Sequence, residues 1–339
     1  MKLSEEKYAK FALCKEMLET VDVVKNFEIE GTEEVVADLE KTGKLFFTGE
    51  GSSRIFPSKN AMMNAFRKGL NLDLATEGGC QAFEYDLSKK TVFGASNSGA
   101  TKELIALFNK LKESGKENLY SMTANTDTKV ESLSKKCFVL NCGGEDAVAA
   151  TKSVAEQALV YQSILANFSG DNIAADTLAD LASKIEAVLT MDIDAGLIEK
   201  IANAGTIYFA GRNDGVAEEL TLKTNEITRK KSDFLEGTYA VHGIEEVMNA
   251  DDVVLLVDPF DTELEKIKQT LSDGVGLTVI AISSKDTIFP TIKTPEAGEF
   301  SSYISLAAGW NILVEVGIAL GIDLDKPTRA RKVGNAFEG

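Results

Sequence analysis

Ser96, Ser98 and Thr101 place three hydroxyl groups in one short loop, Ser96-Asn97-Ser98-Gly99-Ala100-Thr101. The run before it, Thr91-Val92-Phe93-Gly94-Ala95, is β-branched and apolar. After it, Leu104, Ile105, Leu107, Phe108 and Leu111 fall at helical spacing. The pattern predicts a strand, a tight turn and a helix start. Ser and Thr hydroxyls, together with the unpaired N–H groups of a helix N-terminus, suit a phosphate or similar tetrahedral anion. Simple N-capping is the competing reading of these residues. The density of hydroxyls, with no matching cluster in the second half of the chain, favours a ligand. The expectation is an α/β enzyme that grips an anionic small molecule.

The elements that must position this loop repeat along the chain. Residues 5–28 read as helical and 32–42 as a second helix. A strand at 44–48 runs into Gly49-Glu50-Gly51-Ser52-Ser53-Arg54. A helix passes through Ala61 and Phe66, and further strands fall at 72–75, 119–122 and 137–140. A long helix over 149–167 closes the first half. Residues 168–176 read as a linker. The strand and glycine turn of 206–213 then mirror 44–54, Val253-Val254-Leu255-Leu256-Val257 mirrors the strand before the hydroxyl loop, and 306–320 forms a second closing helix. Alternating strands and helices predict two tandem doubly wound, flavodoxin-like parallel sheets with helices on both faces. The domains are expected at 1–168 and 177–322, with 323–339 as a tail closing over the site. The repeat fails at Asp258-Pro259-Phe260-Asp261-Thr262, whose two carboxylates would repel an anion. One working anion pocket and one retired copy are therefore expected.

Composition narrows the classes. The chain has 339 residues, 44% hydrophobic and 26% charged, with a formal net charge of −17. That balance argues against nucleic-acid binding, since phosphate backbones want Lys and Arg. No apolar run is expected to reach the ~20 residues of a membrane span, and the polar start does not read as a signal peptide. Four scattered cysteines and one histidine indicate neither a disulfide framework nor a zinc site. A cytoplasmic protein without metal or other cofactor is expected.

At this point the residues resemble a known family, the tandem sugar isomerase (SIS) domain proteins. These include the isomerase domain of glutamine–fructose-6-phosphate aminotransferase and SIS-type deaminases and deglycases. Gly51-Ser52-Ser53 resembles the first phosphate-side turn. Ser96, Ser98 and Thr101 match a Ser-x-Ser-Gly-x-Thr phosphate loop, with Asn97 where many relatives have Gln. Ala149-Ala150-Thr151-Lys152-Ser153 resembles Ala-Ser-Thr-Lys, which borders the sugar. Leu222-Lys223-Thr224-Asn225-Glu226-Ile227-Thr228 resembles Leu-Lys-Leu-Lys-Glu-Ile-Ser, whose Glu shuttles the proton. Val241-His242-Gly243 resembles Lys-His-Gly, whose His opens the ring and comes from a neighbouring subunit. The tail from Asp325 resembles Asp-Gln-Pro-Arg-Asn-Leu-Ala-Lys, placing the last lysine at Lys332.

The resemblance implies a catalytic set of Glu226, His242 and Lys332, and a substrate-binding set of Ser52, Ser53, Ser96, Asn97, Ser98, Thr101, Thr151 and Lys223. The implied reaction is aldose–ketose isomerisation of a phosphorylated sugar through an enediol. One carboxylate can carry the proton between C1 and C2, and an imidazole suits ring opening. Lysines or backbone donors would steady the oxyanion. An amino-sugar-phosphate deaminase or deglycase would use the same Glu and His and then expel an amine. A non-catalytic sugar-phosphate sensor is the reading from another class. A shared site implies a homodimer or a dimer of dimers. Read by position alone, Glu226 belongs to a solvated charged face, Arg229, Lys230 and Lys231 to a solvated or interface face, and Trp310 to the core.

Overall fold

The computed structural model describes residues 1–331, 336 and 337. The chain divides into two compact units. One is built from Asp22–Gly144, Ala150–Ala179 and the described residues from Arg331 on. The other comprises Met1–Val21, Glu145–Ala149 and Asp180–Ala330. Neither unit is one continuous stretch: the first 21 residues and 145–149 fold with the second half of the chain.

The first unit holds a parallel sheet of β1 (Lys44–Gly49), β2 (Asp73–Glu77), β3 (Thr91–Ala95), β4 (Leu119–Thr123) and β5 (Lys136–Val139), in the order β2-β1-β3-β4-β5. The second holds β6 (Ile207–Gly211), β7 (Ser232–Glu236), β8 (Val253–Val257), β9 (Thr278–Ser283) and β10 (Thr291–Lys293), in the order β10-β9-β8-β6-β7, again parallel. Both sheets have the same topology. The direction of winding reverses between the first and third strands, which opens a crevice at their carboxyl ends. Every residue of β3, β4, β6 and β8 is buried. That is why these strands read as continuous apolar runs rather than alternating ones.

The longer helices are α1 (Ala12–Lys25), α2 (Thr32–Thr42), α3 (Ile55–Arg67), α4 (Lys102–Glu113), α5 (Lys152–Phe168), α6 (Ala175–Thr190), α7 (Ala195–Asn203), α8 (Val216–Thr228) and α9 (Ser301–Ala319). In the first unit Phe46 and Val92 join one apolar cluster with Leu104, Ile105 and Phe108 of α4. The adjacent Phe47 and Phe93 instead meet the ring of Tyr161 on α5, at 4.6 and 5.0 Å between centroids. Successive strand residues point to opposite faces, so the two helices pack on different sides of this sheet.

Four expectations change. The helix read over 5–28 breaks around Lys10 and Phe11 into a short turn, Glu6–Ala9, and α1. The break is stabilised from afar, because Asp325 Oδ2 and Oδ1 accept from Ala12 N and Leu13 N at 2.9 and 2.8 Å. The second closing helix starts at Ser301 rather than 306. With its leading turn, Gly298–Ala319 is long and apolar enough to cross a membrane, contrary to the sequence expectation, yet 83% of its apolar window is buried in the fold. It is a core helix, and Trp310 in it is buried as expected. Finally, β7 and β10 are edge strands that the sequence pattern did not suggest.

Candidate functional site

The hydroxyl loop sits at the carboxyl end of β3, beside β1. Gly49 pairs with Ala95 in the sheet register. A Cβ on Gly49 would stand 2.7 Å from the Ala95 carbonyl oxygen, so only glycine allows this approach. β1 then enters the turn Gly51–Ser53, with Ser52 and Ser53 half-buried. On the other side Ser96 Oγ lies 2.8 Å from Thr101 Oγ1 and accepts from Gly99 N at 3.0 Å. Ser98 Oγ accepts from Ala100 N at 3.2 Å. The carbonyl of half-buried Asn97 accepts from Ala124 N at 3.0 Å and from Asn125 Nδ2 at 3.1 Å. Gly99 holds φ +65, and a Cβ there would meet Thr128 at 2.4 Å.

Thr101 occupies the N-cap position of α4 but makes no side-chain capping bond. Its hydroxyl is turned to Ser96 instead. The Thr101 hydroxyl thus does not cap the first turn of α4. Thr151 is fully buried at the start of α5. The described tail residues lie on the same loop: Phe337 N donates to Ala100 O at 2.9 Å, and Ala336 forms an antiparallel bridge with Thr101. Sequence reasoning missed Gln157 of α5, which is buried with Nε2 3.4 Å from Ser53 Oγ. Its signal was weak, a polar residue on an otherwise apolar face.

In the second unit α8 carries Glu219, Lys223 and Glu226. Lys223 Nζ lies 2.7 Å from Glu226 Oε2 and 3.3 Å from Glu219 Oε1, at i+3 and i−4 spacing on one helix face. The side chains of Lys223 and Glu219 are 1% and 0% exposed, that of Glu226 22%. Burial disfavours the ammonium, but the carboxylates of Glu226 and Glu219 outweigh it and hold the Lys223 pKa above its ordinary value. Lys223 is thus a fixed cationic donor, and Glu226 is the carboxylate of this cluster that a ligand can reach. Glu219 is buried against Lys223.

His242 is exposed and follows the 3₁₀ turn Tyr239–Val241, with its N–H on Tyr239 O at 3.1 Å. The loop beneath it is anchored: Ala240, Val241 and Met248 are buried in an apolar cluster with Leu264, Ile267 and Leu271. Around it Tyr239 and Val247 are exposed, at 51% and 64%. Lys332 lies outside the described residues.

The corresponding crevice of the second unit is built differently. A Cβ on Gly211 would stand 2.5 Å from Val257 O, the same close approach as at Gly49. There, however, Arg212 Nε meets Asp258 Oδ2 at 2.5 Å, and the guanidinium lies 4.2 Å over the Phe260 ring. Asp214 Oδ1 accepts from Val216 N at 3.0 Å, so a protein carboxylate already sits at the start of α8. Asp258 is matched by Arg212, where the sequence suggested bare negative charge.

Two parallel five-stranded α/β sheets of this order define the chain as having the fold of SIS phosphosugar isomerases and deaminases. Tagatose-6-phosphate ketose/aldose isomerase from Escherichia coli superposes with a TM-score of 0.76 at 17% identity, covering 95% of this chain and 98% of that one. Glucosamine-6-phosphate deaminase from Thermotoga maritima gives 0.72 at 21% identity, covering 95% and 99%. In sequence the chain is similar to glutamine–fructose-6-phosphate aminotransferase [isomerizing] from Shewanella oneidensis, 24% identical over 257 residues, or 70% of this chain. It spans 42% of the length of that relative. No family model matches the chain.

Proposed function

We propose that the protein is a phosphosugar aldose–ketose isomerase whose two units are doubly wound SIS domains. The observation that carries this reading is the ion pair on α8, a buried ammonium beside a carboxylate that a ligand can reach. The hydroxyl loop of Ser96, Ser98 and Thr101, with Ser52, Ser53, Asn97 and Thr151, takes the sugar phosphate. The phosphate is remote from the reacting carbons, so its binding energy serves to orient the substrate. Glu226 removes the proton from one of C1 and C2 and returns it to the other. Lys223 donates to the oxygen that becomes negative in the enediolate. His242 opens the ring by moving a proton between the ring oxygen and O1. Its exposure among Tyr239 and Val247 supports a homodimer, or a dimer of dimers, in which the imidazole serves a second copy.

The likeness to a glucosamine-6-phosphate deaminase favours a second reading, in which the same proton transfer ends in amine release. The test is a panel of fructose 6-phosphate, tagatose 6-phosphate and glucosamine 6-phosphate incubated with enzyme in D₂O. ¹H NMR is followed with parallel detection of ammonia. Deuterium at C1 of the ketose or C2 of the aldose, without ammonia, establishes the isomerase. Stoichiometric ammonia establishes the deaminase. Tight binding of a panel member with no turnover would overturn both in favour of a sensor.

A further inference from the structure

Arg229 ends α8, three residues beyond Glu226, and it is not the solvated residue that its sequence neighbours suggest. It holds φ +57, in the left-handed region where glycine is the usual helix stop. Its guanidinium folds back over the helix end. Nη1 donates to the carbonyls of Glu226 and Ile227 at 2.7 and 2.6 Å. Nη2 donates to the carbonyl of Asp323 at 2.5 Å. A backbone helix stop would satisfy the first two groups. It would not reach a carbonyl 94 positions away in sequence.

The segment that Arg229 reaches is itself fixed. Both carboxylate oxygens of Asp325 take the first N–H groups of α1, and its carbonyl accepts from Val148 N at 3.1 Å. One turn further along α1, Glu16 Oε1 accepts from Ala147 N at 3.3 Å and also from Asp146 N. Leu324 is 1% exposed and packed on α9, where a Cβ on Gly317 would stand 2.4 Å from its Cδ2. Asp323-Leu324-Asp325 is therefore held by α1, by α9 and by 145–149, and Arg229 passes that restraint to the last turn of α8.

We infer that Arg229 is a positioning residue for Glu226: its planar fork ties the end of α8 to the anchored 323–325 segment and fixes where the Glu226 carboxylate stands. The kinetic half of this inference rests on Glu226 being the proton carrier; the tether does not. Lysine, a point donor on a flexible stem, lacks the rigid fork that meets these three carbonyls.

Arg229→Gly is the informative variant, because glycine keeps the left-handed helix stop while the side chain and its guanidinium are removed. Its activity is read on the panel sugar that the wild type turns over. The expected result is a fall in kcat of about tenfold to a hundredfold, the size a small misplacement of a reacting group produces. KM should stay within about twofold, since uniform binding is untouched. Low, non-denaturing guanidinium chloride should restore part of kcat, and sodium chloride should not. Arg229→Lys should remain impaired. Hydrogen exchange, measured without substrate, should quicken in peptides covering 222–230 and 320–326. Unchanged exchange would overturn the tether. Quicker exchange with wild-type kcat would overturn the positioning of Glu226. If no panel sugar is turned over by the wild type, the isomerase reading falls, and the exchange measurement still decides the tether.

Discussion

Lys223 and Glu226 form an ion pair of 2.7 Å in which the lysine is fully buried and the glutamate faces outward. The ammonium also neutralises Glu219, 3.3 Å away and wholly inside the fold. Lys223 therefore has a structural duty to one carboxylate and a proposed chemical duty beside the other.

These duties separate by mutation. Lys223→Met strands the Glu219 carboxylate in the interior, which should cost about 3–5 kcal/mol of stability. Adding Glu219→Leu removes the stranded charge and should recover most of that loss. Activity should stay low in both variants, because the oxyanion donor is missing. Urea unfolding and steady-state kinetics on the same samples check this. Recovery of activity along with stability would show that Lys223 matters only to folding.

Ser96 and Thr101 share a hydroxyl–hydroxyl contact at the uncapped start of α4. Ser96→Ala and Thr101→Val should each weaken phosphate binding by about 1.5–3 kcal/mol, roughly tenfold to a hundredfold, the value of one hydrogen bond to a charged group. The loss should appear in KM and in competition by inorganic phosphate more than in kcat. Arg212→Ala, at the matching turn of the other unit, should leave both unchanged. A tenfold effect there would mean that the second crevice also binds substrate.

If His242 serves a second copy, two dead variants can rescue each other. Glu226→Gln and His242→Ala should be inactive alone. Mixed and allowed to exchange subunits, they should regain a fraction of wild-type activity approaching about one quarter on statistical grounds, because each hybrid dimer holds one site with both residues intact and one site with both altered. Mass spectrometry must confirm that subunits exchange. Exchange without activity would place both residues in the same chain's site.

How much of this was legible in sequence follows from how local each signal is. The hydroxyl loop was legible because a buried strand, a turn and an amphipathic helix adjoin in sequence, and Ser96 to Thr101 read as one motif. The central strands were equally plain, since burial on both faces writes unbroken apolar runs such as Val253-Val254-Leu255-Leu256-Val257. The edge strand β7 was hidden because Ser232, Asp233 and Glu236 interrupt its pattern, as edges facing water allow. The division of α1 from the turn before it was hidden for a different reason. The break is stabilised by Asp325, more than 300 positions away. Arg229 looked like its neighbours Lys230 and Lys231 because nothing in a basic run says which guanidinium will find three carbonyls. Gln157 and the burial of Glu219 likewise became visible only through partners brought by the fold.

Asp38 of α2 offers a test of the fold that is independent of any substrate. Its Oδ2 accepts from Lys135 Nζ at 2.7 Å and from Tyr120 Oη at 2.7 Å, and Oδ1 accepts from Lys41 Nζ at 3.1 Å. Burial opposes ionisation, but these donors outweigh it and hold the carboxyl at about 2, against an ordinary 3.8. The folded carboxyl is the stronger acid, so its contribution is complete above the unfolded value and is lost as pH falls toward about 2. A difference of this size is worth about 2 kcal/mol. The Lys41 arm adds little, because that side chain is 73% exposed and screened by water. Asp38→Asn should therefore lower stability at pH 7 by about 1–2 kcal/mol and flatten the decline of stability between about pH 4 and pH 2. Urea unfolding across that range checks both. An equally steep decline in the variant would show that other carboxylates control the acid limb.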